Sequence, residues 1–266
     1  MYSANGTYYT GEHSVSFGNL YIPSGQSYTA FNVAANTWSS WHLIPSSRPA
    51  IAHPSIVTKF VEIPGADGML DLTTYLTGRP NYGQRQGTIS FLVANGIENW
   101  ETIREKMVQV LHGKRIDMRL DDDPGYYYEG RFTVGNWESG ASYSGISISY
   151  QLDPYKLRIN NEGTTPMLWD TFNFETDYDY YTSWPGGSNI VTNNIGAGTY
   201  YIYAGDYAFQ PVATWVSGSA TVTFGGVTQT LSSSGSKTLG RAGVGRNTLT
   251  VSGNGRVSIT WRGGSL

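Results

Sequence analysis

The chain has 266 residues, a net charge of −3, no cysteine, 14% charged residues and 14% aromatic residues. The length suits about two domains of roughly 100–200 residues each. Charge is balanced throughout, with 12 Lys+Arg against 14 Asp+Glu over residues 1–158 and 5 against 6 over residues 159–266, which argues against a chain built to neutralise phosphate. The missing cysteines exclude disulfides and thiolate metal sites. Few charges beside 20 Tyr and 33 Gly indicate a mainly β protein of short strands and turns, too aromatic for disorder. The opening MYSANGTYYTGEH has neither the basic run nor the apolar core of a signal peptide. No run of about eighteen apolar residues spans a membrane.

Residues 1 to about 36 are rich in Gly, Ser, Asn and Tyr, with short strands around Val15, Phe17 and Leu20 to Ile22. The segment Trp38 to Gly83 is the one around which the chain is organised. It carries Pro45, Pro49, Pro54, Pro64 and Pro80, each of which removes a backbone donor and fixes φ, so no long helix fits. Between the prolines, Ile56–Val57, Phe60–Ile63 and Met69–Leu72 read as extended chain, with a turn over Pro64 to Gly68. So long an irregular segment is uncommon inside one compact domain. It reads as an arm that docks on another subunit. The alternative is a loop-rich edge of a β-domain, and pattern alone does not choose between them.

From Gly87 the pattern is regular. Ile89, Phe91 and Val93 alternate as a strand. Asn95 and Glu98 form a capping box for a helix over Ile97 to His112, with Ile97, Trp100, Ile103, Met107 and Leu111 as its apolar stripe and Gly113 as its stop. Ile116–Leu120, Tyr126–Val134 and Ile146–Leu152 come next as strands. Glu129 and Arg131 share a strand face and are expected to pair. Asp153-Pro154 and the polar run Asn160–Thr165 mark a boundary, giving an N-terminal domain over 1–158 and a C-terminal domain over 159–266. The C-terminal part is purely β, and Gly253-Asn254-Gly255 between alternating runs predicts a hairpin within a β-sandwich.

Motifs for chemistry are sparse. His13, His42, His53 and His112 stand alone, without zinc-ligand spacing. No Walker A loop, nucleotide glycine motif before a helix, or nucleophile elbow occurs. Asp121-Asp122-Asp123 suggests a divalent cation or a glycosidase acid, but Pro124 and Gly125 break the EF-hand pattern. It reads more simply as a strand-ending turn with solvated charges. Its replacement by Asn is therefore expected to disturb only the turn. Tyr178, Tyr180, Tyr181, Trp184, Tyr200, Tyr201, Tyr203, Tyr207 and Trp215 offer rings for sugar stacking, but aromatics in a small β-domain are more often core or interface.

Several stretches are specific in combination: TWSSWHLIPSSRP from Thr37, the PGADG turn ending at Gly68, LDLT, LTGRP, LDDDPGYYYEGRF from Leu120, WDTFNFET (Trp169–Thr176) and NTLTVSGNGRVSITWRGG (Asn247–Gly264). Together they resemble the distal tail proteins of siphophages, the Dit family, over nearly all of the chain after Asn36. The resemblance implies a non-enzymatic virion protein made in the host cytoplasm. It implies an N-terminal β-sandwich-like, ring-forming domain with one helix and extended arms, and a C-terminal galectin-like β-sandwich. It also implies a hexameric hub joining the tail tube to the tail-tip hub, tail-associated lysin or fibre. Such a hub is expected to hold receptor-binding proteins, with DNA passing through its lumen unread. No cofactor or metal is implied. The oligomer-interface candidates are Trp38, Trp41, Leu43, Ile44, Arg48, Pro64, Gly65, Asp67 and Arg79. An exposed Trp38 and Trp41 would act in assembly and leave folding unchanged. The rival reading is a carbohydrate-binding adhesin with Tyr181 and Trp184 as glycan contacts; a hydrolase is more remote.

Overall fold

The computed structural model describes residues 11–24, 29–65, 67–75, 78–93, 100–139, 144–159, 194–204 and 207–266. Mainly antiparallel β-structure forms two compact units. The first comprises Met1–Asn19, Asn32–Lys156 and Leu266, and the second Leu20–Phe31 and Leu157–Ser265.

In the first part of the chain the strands are β1 (Val15–Tyr21), β2 (Ala30–Asn36), β3 (Leu43–Pro45), β4 (Ile56–Val57), β5 (Phe60–Glu62), β6 (Met69–Asp71), β7 (Asn81–Tyr82) and β8 (Arg85–Val93). Then come helix α1 (Trp100–Leu111), β9 (Arg115–Leu120), β10 (Tyr126–Ser139), β11 (Ser144–Leu152) and β12 (Lys156–Arg158). The main sheet runs β2-β1-β9-β10-β11-β8-β3. Its registers pair Phe17 with Met118, Tyr128 with Met118, Phe132 with Tyr150, Ile148 with Ile89 and Leu43 with Val93. With a side-chain period of two, these pairs put one continuous apolar face toward the core. Phe17 meets the edge of Phe132 at 5.1 Å. Helix α1 closes that core with Ile103, Met107 and Leu111, while Trp100 lies 5.3 Å from Trp137. Asn95, Ile97 and Glu98 lie outside the described residues. Gly113, at φ 71°, stops the helix as expected; it donates its N–H to the Phe132 carbonyl, tying the end to β10, while the Lys114 N–H donates back to the Leu111 carbonyl.

The tryptophan segment behaves differently from its expectation as an exposed arm. Trp41 is 2% exposed and Leu43 is fully buried, both inside the core. Trp38 and Ile44 are half-buried. The cause is a compact turn after β2. The Asn36 side chain accepts from the Trp38 and Ser39 amides, and Thr37 exchanges bonds with Val15 through its own N–H and hydroxyl. His42, at φ 53°, then reverses the chain so that Trp41 lies 5.9 Å from Phe17. These apolar side chains leave water inside their own chain, so the arm proper begins later.

The second unit contains β13 (Gly198–Ala204), β14 (Val212–Ser217), β15 (Ala220–Phe224), β16 (Val227–Leu231), β17 (Ser236–Thr238), β18 (Gly245–Gly253), β19 (Arg256–Thr260) and β20 (Gly264–Ser265). The sheets β13-β18-β15-β16 and β17-β14-β19 bury Ile202, Val222, Leu249 and Val251 against Ala213, Val257 and Ile259 in a single core, the arrangement of a β-sandwich. The expected hairpin at Gly253-Asn254-Gly255 is absent. β18 and β19 belong to different sheets, and the three residues turn the corner between them. Ser219, at the β14–β15 corner, donates its N–H to the Asn254 side chain and accepts from Gly255 N–H. A Cβ on Gly218 or Gly255 would strike the other corner's backbone. The glycines serve two stacked crossovers, a purpose that local sequence cannot reveal.

Trp41→Ala is expected to destabilise the first unit by about 3–5 kcal/mol, read as a lowered urea unfolding midpoint of the whole chain.

Candidate assembly site

The arm is a two-stranded ribbon that starts after Pro54. Gly83 donates to the Ser55 carbonyl, β4 pairs with β7, Leu72 donates to the Lys59 carbonyl and β5 pairs with β6. Gly65 and Gly68, at φ 81° and 89°, turn the tip, a conformation that glycine adopts at least cost. The three predicted extended runs are therefore strands β4, β5 and β6. Ile56, Val57, Phe60, Val61, Ile63, Met69, Leu70 and Tyr75 are all exposed, Met69 by 64% and Tyr75 by 78%. A lone two-stranded ribbon is marginal in water, and a contiguous apolar surface marks an interface.

The root is moored by backbone recognition. The Ala52 N–H donates to the Tyr150 hydroxyl at 3.0 Å, and its carbonyl accepts from Arg85 Nη1 at 3.0 Å. Arg85 is 2% exposed. Its Nε donates to the Pro154 carbonyl at 2.8 Å, and its guanidinium lies 5.6 Å over Tyr128. Burial holds its pKa below the usual guanidinium value, against the pull of Tyr128 and Tyr150. Gly87 leaves the space that the Tyr150 phenol occupies.

The acidic turn forms a second mooring. Asp121 accepts from the Ser14 hydroxyl. Asp122 meets His13 Nδ1 at 2.8 Å and Arg48 Nε at 2.9 Å, and Asp123 meets Lys156 Nζ at 2.7 Å. Asp121 and Asp122 are exposed, as expected of a solvated turn, and all three carboxylates also hold partners that the sequence did not show. Burial pushes the Asp122 carboxyl up, but the hydrogen bonds from His13 and Arg48 outweigh it and leave the net pKa below the usual carboxylate value. Among the described residues, no His, Asp and Glu cluster is arranged to hold a metal. Glu129 pairs with Arg115 at 3.0 Å, whereas Arg131 donates to the Gly113 carbonyl, so the expected Glu129–Arg131 pair does not form.

The interface candidates therefore separate. Pro64, Gly65 and Asp67 are exposed at the tip, Arg79 is half-buried in the bend before β7, and Arg48 engages Asp122 at the root. Trp41 and Leu43 are core. The eight exposed apolar side chains of the ribbon were missed as site residues. Their signal was available as apolar runs between prolines, without partner runs to cover them. Tyr181 and Trp184 lie outside the described residues. Tyr200, Tyr207 and Trp215 pack on the second core, and Arg246 stands 4.8 Å over the Tyr201 ring.

No protein-family profile and no curated protein matches the chain. Among solved structures, the chain is similar to the Dit (gp 19.1) protein of SPP1, described as a paradigm of the hub adsorption apparatus in phages that infect Gram-positive hosts. The TM-score is 0.57 with 11% identity, covering 95% of this chain and 99% of that one. The likeness is one of fold.

Because its folded pKa is depressed, the Asp122 contribution is full above the unfolded carboxyl value of ~3.9 and is lost as pH falls through the folded value. Asp122→Asn is expected to remove it at neutral pH. The largely exposed Arg48 limits the loss to under about 1 kcal/mol. Faster amide exchange at Ala52 would report the loosened root.

Proposed function

We propose that this chain is the distal tail hub of a siphophage, a structural protein whose copies close into a hexameric ring between tail tube and tail tip. Two findings support the reading together: the fold likeness to a phage hub protein over nearly the whole chain and the bare apolar ribbon on the first unit. The ribbon carries the argument. A surface that one copy presents and another covers with a different face makes a heterologous contact, which closes a ring when the rotation allows. The tail tube would bind one side of the ring. The tail-tip hub, with its lysin or fibre, would bind the other, and DNA would cross the lumen. The second unit would be the galectin-like domain that projects outward and carries receptor-binding proteins. The ring needs no catalytic group, cofactor or membrane insertion. Among the described rings offered for sugar stacking, Tyr200, Tyr207 and Trp215 pack inward and Tyr201 lies under Arg246; the adhesin's named contacts, Tyr181 and Trp184, lie outside the described residues.

Purified chain at high concentration, or isolated tails, should show a sixfold ring by electron microscopy. A single copy or an isologous dimer at the distal end of the tail would refute the proposal. Phe60→Ser with Met69→Ser should dissolve the ring in light scattering, since each buried anchor contributes on the order of 2 kcal/mol. The unfolding free energy of the single chain should stay within about 0.5 kcal/mol of the parent, because both side chains are exposed in it.

A further inference from the structure

The geometry points to β2 as the place where the ribbon of a second copy lands, adding β5 or β6 to the main sheet as a further strand. This rests on the ring reading and names the surface that completes it. Among the described residues, the seven-strand path of the main sheet ends at β2 and at β3. The β3 edge is three residues long and ends in Pro45, which cannot donate to a ladder, so that edge protects itself. The β2 edge is seven residues long, AFNVAAN, with neither charge nor proline. Asn32, Val33 and Ala34 are exposed along it, Val33 by 44%. Among the described residues no strand pairs with its outer side, and a strand edge of this kind is a template for another strand.

The ribbon has the complementary need. Among the described residues, β5 and β6 pair only with each other, so each keeps an unpaired outer edge. Phe60, Val61, Met69 and Leu70 stay exposed in the single chain, so the chain's own sheet does not cover them. At ~3.3 Å per residue, the nine residues Ser55–Ile63 reach about 30 Å, close to twice the ~14 Å radius of gyration of a domain this size. That span suffices to leave one copy and cross onto the next. Edge and ribbon are different surfaces, so the contact is heterologous and compatible with a ring.

The absence of cysteine makes disulfide trapping specific. The variants Val33→Cys, Val61→Cys and Leu70→Cys would be made in the full chain. Val33→Cys would be mixed with each arm variant under mild oxidation, at concentrations where the parent assembles. A covalent dimer is expected in at least one mixture, since strand pairing brings Cα atoms within the ~7 Å limit for a disulfide. Val33→Lys should weaken assembly at least tenfold with an unchanged unfolding midpoint. Rings without any cross-link, or rings of Val33→Lys as strong as the parent's, would overturn the β2 contact and leave the hub reading standing. A Val33→Cys/Leu70→Cys double variant linked only within one chain would also overturn it. A parent that never assembles, alone or with tail tube, would remove both.

Discussion

Two strands paired only with each other cannot bury both faces of their ribbon. Among the described residues that constraint falls on β5 and β6, whose Phe60, Val61, Met69 and Leu70 all face solvent. At about 25 cal/mol per Å² of apolar surface, such a ribbon gains little from its own fold and much from being covered. On the proposed ring, covering it by a second copy would convert a weakness of the isolated chain into the driving force of assembly. The rest of the first unit then serves as a frame that holds the ribbon in a fixed direction.

The moorings explain how that direction is held without a large interface at the root. Ala52 is gripped through both of its backbone polar groups, by Tyr150 and Arg85. The same Arg85 grips Pro154, where the chain leaves β11. The acidic turn repeats this logic with charge, tying His13 and Ser14 near the start of β1, Arg48 before the arm and Lys156 at the end of the unit. Individually these surface pairs are weak. Their effect is positional, because each joins segments distant in sequence around one turn.

The second unit solves a different problem with glycine. Its strands change sheets at two corners that pack against each other, and Gly218, Gly253 and Gly255 allow the close approach. Across the four-stranded sheet, Thr221 pairs with Thr230 and Thr223 with Thr228 through hydroxyls at 3.0 Å. These hydroxyls partner one another on the outer face, and Tyr200, Tyr207 and Trp215, three of the rings that suggested sugar stacking, pack on the core.

The sequence by itself determined the elements whose signal is local. Helix α1 follows from the stripe Trp100, Ile103, Met107 and Leu111, strands β8 to β11 follow from alternation, and the extended character of residues 56–72 follows from prolines and apolar runs. Only the tertiary structure decided which of those apolar groups the chain keeps for itself. Trp41 and Leu43 looked like an exposed patch because burial depends on Phe17 and Val93, far off in sequence and brought near by strand pairing. The Asn-Gly turn looked like a hairpin because its partner at Ser219 lies outside any local window. The partners of Asp122 were not legible because His13 and Arg48 reach it from distant segments. Periodicity reports which way a side chain points relative to its neighbours, whereas burial and pairing depend on long-range contacts that exist only once the sheet has closed.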